Sequence, residues 1–146
     1  MNSGLSDLSG SSSAREEYSL DLSPPISHYT DAVRFGDLLF VSGIAPLDEH
    51  QQVISDDVVQ QARFIFETLA KILDRAGATF ADVLRVTVYL TNVADRPLIN
   101  PIRQEYFGDV RPASTLIGVS ELAIPGMKVE IEAIVGLRRD HRQPSI

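Results

Sequence analysis

At 146 residues, 44% hydrophobic and 23% charged, the chain has the make-up of one globular domain, and no apolar run reaches the ~18 residues of a membrane-spanning helix. Twenty acidic against 13 basic side chains give −7, a poor match for a phosphate backbone, so no nucleic acid is an expected partner, and with no spanning run no membrane is either. Zero cysteines exclude a disulfide framework, thiolate catalysis and cysteine-ligated metal centres, and Met1-Asn2-Ser3-Gly4-Leu5 lacks the basic and apolar regions of a secretory signal, which makes cytoplasmic residence the expectation.

Residues 1–13 hold six Ser and two Gly and cannot bury enough apolar surface to offset their ordering entropy. Residues 1–20 are therefore read as a flexible leader, 21–138 as a single domain and 139–146 as a polar C-terminal tail. Ala32-Val33-Arg34, a turn at Phe35-Gly36-Asp37 and Leu38 to Gly43 read as a hairpin, because β-formers flank a glycine-containing turn. From Ser55 the period changes. Ala62, Ile65, Phe66, Leu69, Ile72, Leu73 and Ala76 fall on one helical stripe, with Ser55 as the expected N-cap and Gly77 as the stop. Val83 to Leu90 alternates, with Arg85, Thr87 and Tyr89 on one face and Val86, Val88 and Leu90 on the other. A short helix with Asn100 as N-cap and Pro101 at its first position runs to Phe107. Strands at about 113–119 and 129–135 complete the order ββ(β)αβαββ, in which the bracketed strand, before the long helix, is weak. Strands interleaved with helices and framed by hairpins predict an α+β sandwich, a mixed six-stranded sheet with two helices packed on one face.

Generic catalytic motifs are absent: there is no glycine-rich phosphate loop and no nucleophile elbow. His28, His50 and His141 have no ligand partner at metal-site spacing, so no metal is expected. In Val129-Glu130-Ile131-Glu132-Ala133-Ile134 the alternation places both carboxylates on one face. That pattern describes a half-exposed strand; it also describes a carboxylate held rigidly enough to act as a general base on water. Asn100 before Pro101 is explained as a cap, and Gly43 after Ser42 as a bulge or a point of close backbone approach.

Tyr29, Val33, the run from Gly36 to Pro46, Gln61-Ala62, Leu73, Ala76-Gly77-Ala78, Asp82-Val83, Thr87 to Leu90, Asn100, Tyr106-Phe107, Arg111-Pro112-Ala113 and Val129 to Ala133 together resemble the RidA/YjgF family over about residues 26–137. The resemblance implies a chorismate-mutase-like fold, a homotrimer whose sheets line a central barrel, and clefts between adjacent subunits. It also implies hydrolysis of reactive enamines and imines, small-molecule substrates that release ammonia, without metal or organic cofactor. Carried over position by position, Tyr29 and Glu130 are the expected catalytic residues, Glu130 as the carboxylate that positions water. Ser42, Gly43, Asn100 and Ser114 are the expected substrate contacts.

One position departs from the pattern. Family deaminases read Pro-Ala-Arg-Ser, the arginine gripping the substrate carboxylate, whereas this chain reads Pro112-Ala113-Ser114-Thr115. A hydroxyl offers one weak donor and no charge, and losing a charged partner in a desolvated cleft costs about 2–5 kcal/mol of binding. Three readings stay open. The chain hydrolyses an imine or enamine that differs from 2-aminoacrylate; or it binds a small metabolite without turnover; or it carries the endoribonuclease activity sometimes attached to the family, which suits a charge of −7 poorly. Arg103, Arg111 and Lys128 are the cations nearest Ser114 in sequence, with Arg111 expected on the opposite strand face. On sequence alone, Ser114→Arg would add the missing cation.

Overall fold

The computed structural model describes residues 14–21 and 25–138, so the expected tail, and all but residues 14–20 of the expected leader, lie outside the described residues. Its strands are β1 (Arg15–Tyr18), β2 (Ala32–Phe35), β3 (Leu38–Ile44), β4 (Val83–Leu90), β5 (Ala113–Gly118) and β6 (Val129–Gly136), and its helices are α1 (Val58–Arg75) and α2 (Arg96–Phe107). The strands form one sheet in the order β1-β2-β3-β6-β4-β5. The β4–β5 pair is parallel and the others are antiparallel, so the sheet is mixed and the α+β expectation holds.

Two strands differ from the sequence reading. Arg15–Tyr18, assigned by composition to the leader, pair with β2 as an edge strand. The alternation of this segment is masked by its charge, and it is an edge strand with three exposed residues, so it needs little apolar content. The weak strand expected before the long helix is reduced to a single bridge, Leu47 to Val53. The count of six strands is reached with a different sixth member.

The β2–β3 hairpin closes on Gly36, whose φ of 65° lies in the left-handed region, with Phe35 facing Leu38. In α1 the stripe is buried as expected, but the cap is not Ser55. Asp57 accepts from the Val59 N–H, while the Ser55 hydroxyl accepts from the Asp57 N–H one step earlier. Two capping-type residues compete here, and the one nearer the first buried residue, Val58, wins. The helix ends with Gly77 at φ 73°, where the Gly77 N–H donates to the Asp74 carbonyl and the Ala78 N–H to Leu73.

The second helix starts one turn earlier than its expected cap. Asn92 accepts from the Ala94 N–H and opens a 3₁₀ turn, Val93–Asp95, that runs straight into α2. Asn100 and Pro101 therefore lie inside α2 rather than at its start, and Pro97 occupies the first turn. The earlier start is favoured by burial: Ile99, Ile102 and Phe107 put one face of α2 into the core.

The core lies between the helices and one sheet face, where Leu39, Val41, Val86, Val88, Leu90, Val129, Ile131, Ala133 and Val135 are buried. Phe66 of α1 packs edge-on against Phe107 (centroids 5.9 Å apart) and stacks on Tyr106 (5.2 Å), which fixes α2 against α1. An exposed ion pair, Arg63 to Glu105 at 2.8 Å, spans the same two helices.

Gln61 is a polar residue buried in the middle of this packing. Its amide nitrogen donates to the Ser55 and Gly126 carbonyls at 2.8 and 3.0 Å, and its oxygen accepts from the Lys128 N–H at 2.8 Å. One side chain thus ties the loop before α1 to the turn before β6, two residues from Glu130. Among the described residues no helix covers the opposite sheet face. It presents Phe35, Leu38, Phe40 and Leu84, each between 39% and 54% exposed.

Candidate functional site

The expected site residues fall into two groups. The first gathers where β3 meets β6. Between Val41 and Ile44 the register slips: Val41 faces Ala133 and Ile44 faces Ile131, so three steps on β3 answer two on β6. The extra residue makes a bulge at Ser42-Gly43, which turns the β3 backbone toward the neighbouring strand. The bulge is pinned from behind, because Ser42 donates from its N–H to the Asp31 carbonyl (2.9 Å) and from its hydroxyl to the Thr30 carbonyl (2.6 Å).

Glu130 of β6 lies directly against Gly43. A methyl group built on Gly43 would stand 3.0 Å from Glu130 Cδ, 3.3 Å from Cγ, and in collision with Oε2. Only glycine admits the carboxylate here, so the sequence alternatives of a bulge and of a close approach are both realised. Tyr29, Ser42 and Gly43 also line a cavity of about 560 Å3, a volume suited to a small metabolite. The Tyr29 side chain is itself exposed at its edge.

The Glu130 carboxyl is held above the ordinary carboxylate range, by burial first and by the neighbouring Glu132 charge second. Glu132, on the same face, accepts from the Tyr89 hydroxyl at 3.2 Å. That phenol is pushed up in turn, by burial and then by the Glu132 and Glu130 charges. A half-buried carboxylate with a raised affinity for protons, fixed on a strand, is suited to taking a proton from water.

The second group lies at the far edge of the sheet. Ser114 faces Val86 across the β4–β5 pair, and Val86 faces Ala133 across β4–β6. Ser114 therefore sits on the helix side of the sheet, whereas Glu130 points to the other side, two strands across (roughly 10 Å) and three residues along β4 (roughly 10 Å more) from it. Asn100, exposed on α2, lines a depression with Arg103, Gln104, Arg111 and Pro112. Arg103, one turn beyond Asn100, donates from Nη2 to the Ser114 hydroxyl at 2.9 Å. Arg111 was expected on the opposite strand face. It precedes β5, which begins at Ala113, so strand alternation does not reach it and it joins Arg103 in the same depression.

Within one chain, then, Tyr29, Ser42 and Gly43 line one cavity and Glu130 lies against Gly43, while Asn100 and Ser114 are linked through Arg103, and the two groups do not meet. Sequence reasoning missed the bracing role of Gln61, although a glutamine amid the α1 stripe beside Ala62 is a readable signal of a buried polar tie. Among the described residues there is no group of three or more His, Asp or Glu side chains placed to hold a metal ion. No helix among them is long and apolar enough to cross a membrane.

The chain is similar to several known proteins. Residues 21–137 match the family model described as Endoribonuclease L-PSP. A 3-aminoacrylate deaminase RutC from Acinetobacter baylyi is 37% identical over 112 residues, covering 76% of this chain and 88% of that protein. A 2-iminobutanoate/2-iminopropanoate deaminase from Dermatophagoides farinae is 30% identical over 112 residues, covering 76% and 87%. A solved structure from the conserved Rid family of Yersinia pestis superposes with a TM-score of 0.79 at 29% identity, over 85% of this chain and all of that one.

Proposed function

Because the chain belongs to the RidA/YjgF (Endoribonuclease L-PSP) family, we propose that it is a hydrolytic deaminase of imine or enamine intermediates, acting in the cytoplasm at a cleft built by two subunits of a homotrimer. The observation that carries this reading is the Glu130 carboxylate lodged against the Gly43 backbone, half-buried and with its proton affinity raised. Relatives named as deaminases of 3-aminoacrylate and of 2-imino acids support the reaction class.

Glu130 takes a proton from water as the water oxygen bonds to the imine carbon. The imine nitrogen takes up a proton from solvent as the C=N π pair moves onto it; the carbinolamine so formed then receives the Glu130 proton at nitrogen and expels ammonia as the carbonyl closes, its hydroxyl proton returning to solvent. The balance is one imine and one water giving one oxo compound and one ammonia. In this scheme Tyr29, which lines the cavity beside Ser42 and Gly43, orients the leaving nitrogen. No cofactor enters any step of this scheme.

The separation of the two residue groups supports a shared cleft, since Asn100 and Ser114 of one chain contribute only if they face Glu130 of another. The uncovered sheet face with Phe35, Leu38, Phe40 and Leu84 is the apolar surface such an assembly would bury. Light scattering should give about three times 16.0 kDa; a monomer at micromolar concentration removes the cleft. The activity itself is tested by ammonia release from a panel of imino acids generated in situ, with Glu130→Gln as the control. Ser114, in place of a charged grip, favours the second reading of a trimer that binds a metabolite without turnover. Binding without ammonia release from any substrate in the panel would select it.

A further inference from the structure

Among the described residues Arg103 has no counter-ion. Of the described arginines, Arg15, Arg63 and Arg138 reach carboxylates, while Arg103 reaches only the neutral Ser114 hydroxyl, as the more exposed Arg85 and Arg75 reach only neutral oxygens. Neither Arg103 nor Arg111, which shares its depression, forms an ion pair there, although Asp109 lines the same depression. The Arg103 guanidinium is half-buried, and burial lowers its proton affinity below the ordinary arginine value while leaving it charged at any physiological pH. An unpaired, partly desolvated guanidinium is costly unless an anion completes it.

The geometry narrows the kind of anion. A guanidinium has five donors in a planar fork, and one contact to Ser114 leaves most of the fork free for two parallel bonds to a carboxylate. Ser114 is small, so the guanidinium of α2 can come to the β5 strand at that position. A large side chain on the strand would fill that space. Asn100, three residues earlier on the same helix, presents a neutral amide beside it.

We propose that Arg103, delivered by α2, is this chain's grip on the carboxylate of a small 2-oxo or 2-imino acid, with Ser114 as the residue that aims it and Arg111 as a second cation at the rim. The acid's identity rests on the deaminase reading; the anion site itself does not. Ser114 in this light is one half of a relocated clamp, and the charge expected on the strand is supplied from the helix.

The test is calorimetric titration of the full-length protein with pyruvate and with 2-oxobutanoate, the product acids of the reaction, and with pyruvamide as a neutral counterpart. Parent protein should bind the acids and discriminate against the amide. Arg103→Gln should weaken acid binding at least tenfold, about 1.4 kcal/mol, in line with the loss of a charge-assisted bond. Arg103→Lys should fall in between, because it keeps the charge and loses the fork. Circular dichroism and elution volume establish that each variant keeps its fold. If Arg103→Gln does not fold, Arg103→Lys decides alone: an acid affinity equal to that of the parent overturns the proposal. Equal affinity of Arg103→Gln and parent for pyruvate also overturns it, as does a parent that binds neither acid.

Ammonia release separates this inference from the reaction assigned above. Arg103-dependent acid binding with no ammonia from any imino acid leaves the anion site standing and removes the deaminase. Ammonia released from 2-iminopropanoate with equal kcat/KM by parent and Arg103→Gln does the reverse.

Discussion

Gly43→Ala is the substitution that separates catalysis from folding most cleanly. The added methyl collides with Glu130 Oε2 and stands 3.0 Å from Cδ, so the carboxylate must leave its place. The obstructing group is the free end of a flexible side chain, and a rotamer shift of that kind costs about 0.5–1.5 kcal/mol. Replacing glycine by alanine also removes about 0.4–1 kcal/mol of unfolded-state entropy. The two effects oppose each other, and the melting transition should move little. Activity should not survive so well, because displacing a reacting group by about 1 Å can cost on the order of 100-fold. The assay pairs thermal unfolding with ammonia release at several imino-acid concentrations. The expected result is an unchanged melting curve with kcat/KM reduced about 100-fold. Combining Gly43→Ala with Glu130→Gln should cost little beyond Glu130→Gln alone, since both disable one carboxylate. A Gly43→Ala protein with parental kcat/KM would refute the reasoning, because the close approach of Gly43 and Glu130 would then have no part in the chemistry.

Glu132→Gln removes the charge that helps raise the Glu130 carboxyl, so the acid limb of the kcat/KM profile should move to lower pH while activity at neutral pH persists; an unmoved limb would mean that another group sets it. Because the folded-state pKa of Glu130 is raised, its stabilising contribution is complete below the ordinary glutamate value and is lost as pH rises through the folded value. Glu130→Gln should therefore abolish turnover yet melt higher than the parent at pH 7, and a lower melting temperature counts against that burial. Gln61→Leu strips partners from the Ser55 and Gly126 carbonyls and the Lys128 N–H, a loss of about 3 kcal/mol or roughly 10 °C, measurable by calorimetry. Ser114→Arg, which sequence alone recommends as a gain, should instead weaken acid binding, because it brings a second guanidinium to where Arg103 already stands 2.9 Å from the serine oxygen; a tenfold improvement in kcat/KM on 2-aminoacrylate would show that position to be vacant.

Local periodicity by itself determined the hairpin at Gly36, the α1 stripe ending at Gly77, strands β4 and β6, and the shared face of Glu130 and Glu132. Each of these depends on residues a few positions apart, where φ preference and the alternation of side chains decide the outcome. The motifs in turn carried the family. Tertiary structure alone decided the rest, and in each case the competitor was a distant contact. Ser55 and Asn100 are good caps by type, but burial of Val58 and of Ile99 set the helix starts at Asp57 and Asp95. Arg15–Tyr18 look like leader until β2 offers them backbone partners. The chemistry shows the same division. Residue type marked Glu130 as a candidate, but its approach to Gly43 required a bulge between strands that lie some ninety positions apart in sequence. Arg103 was only one of three nearby cations until α2 packed beside β5, because a helix face and a strand edge share no period that the sequence could display.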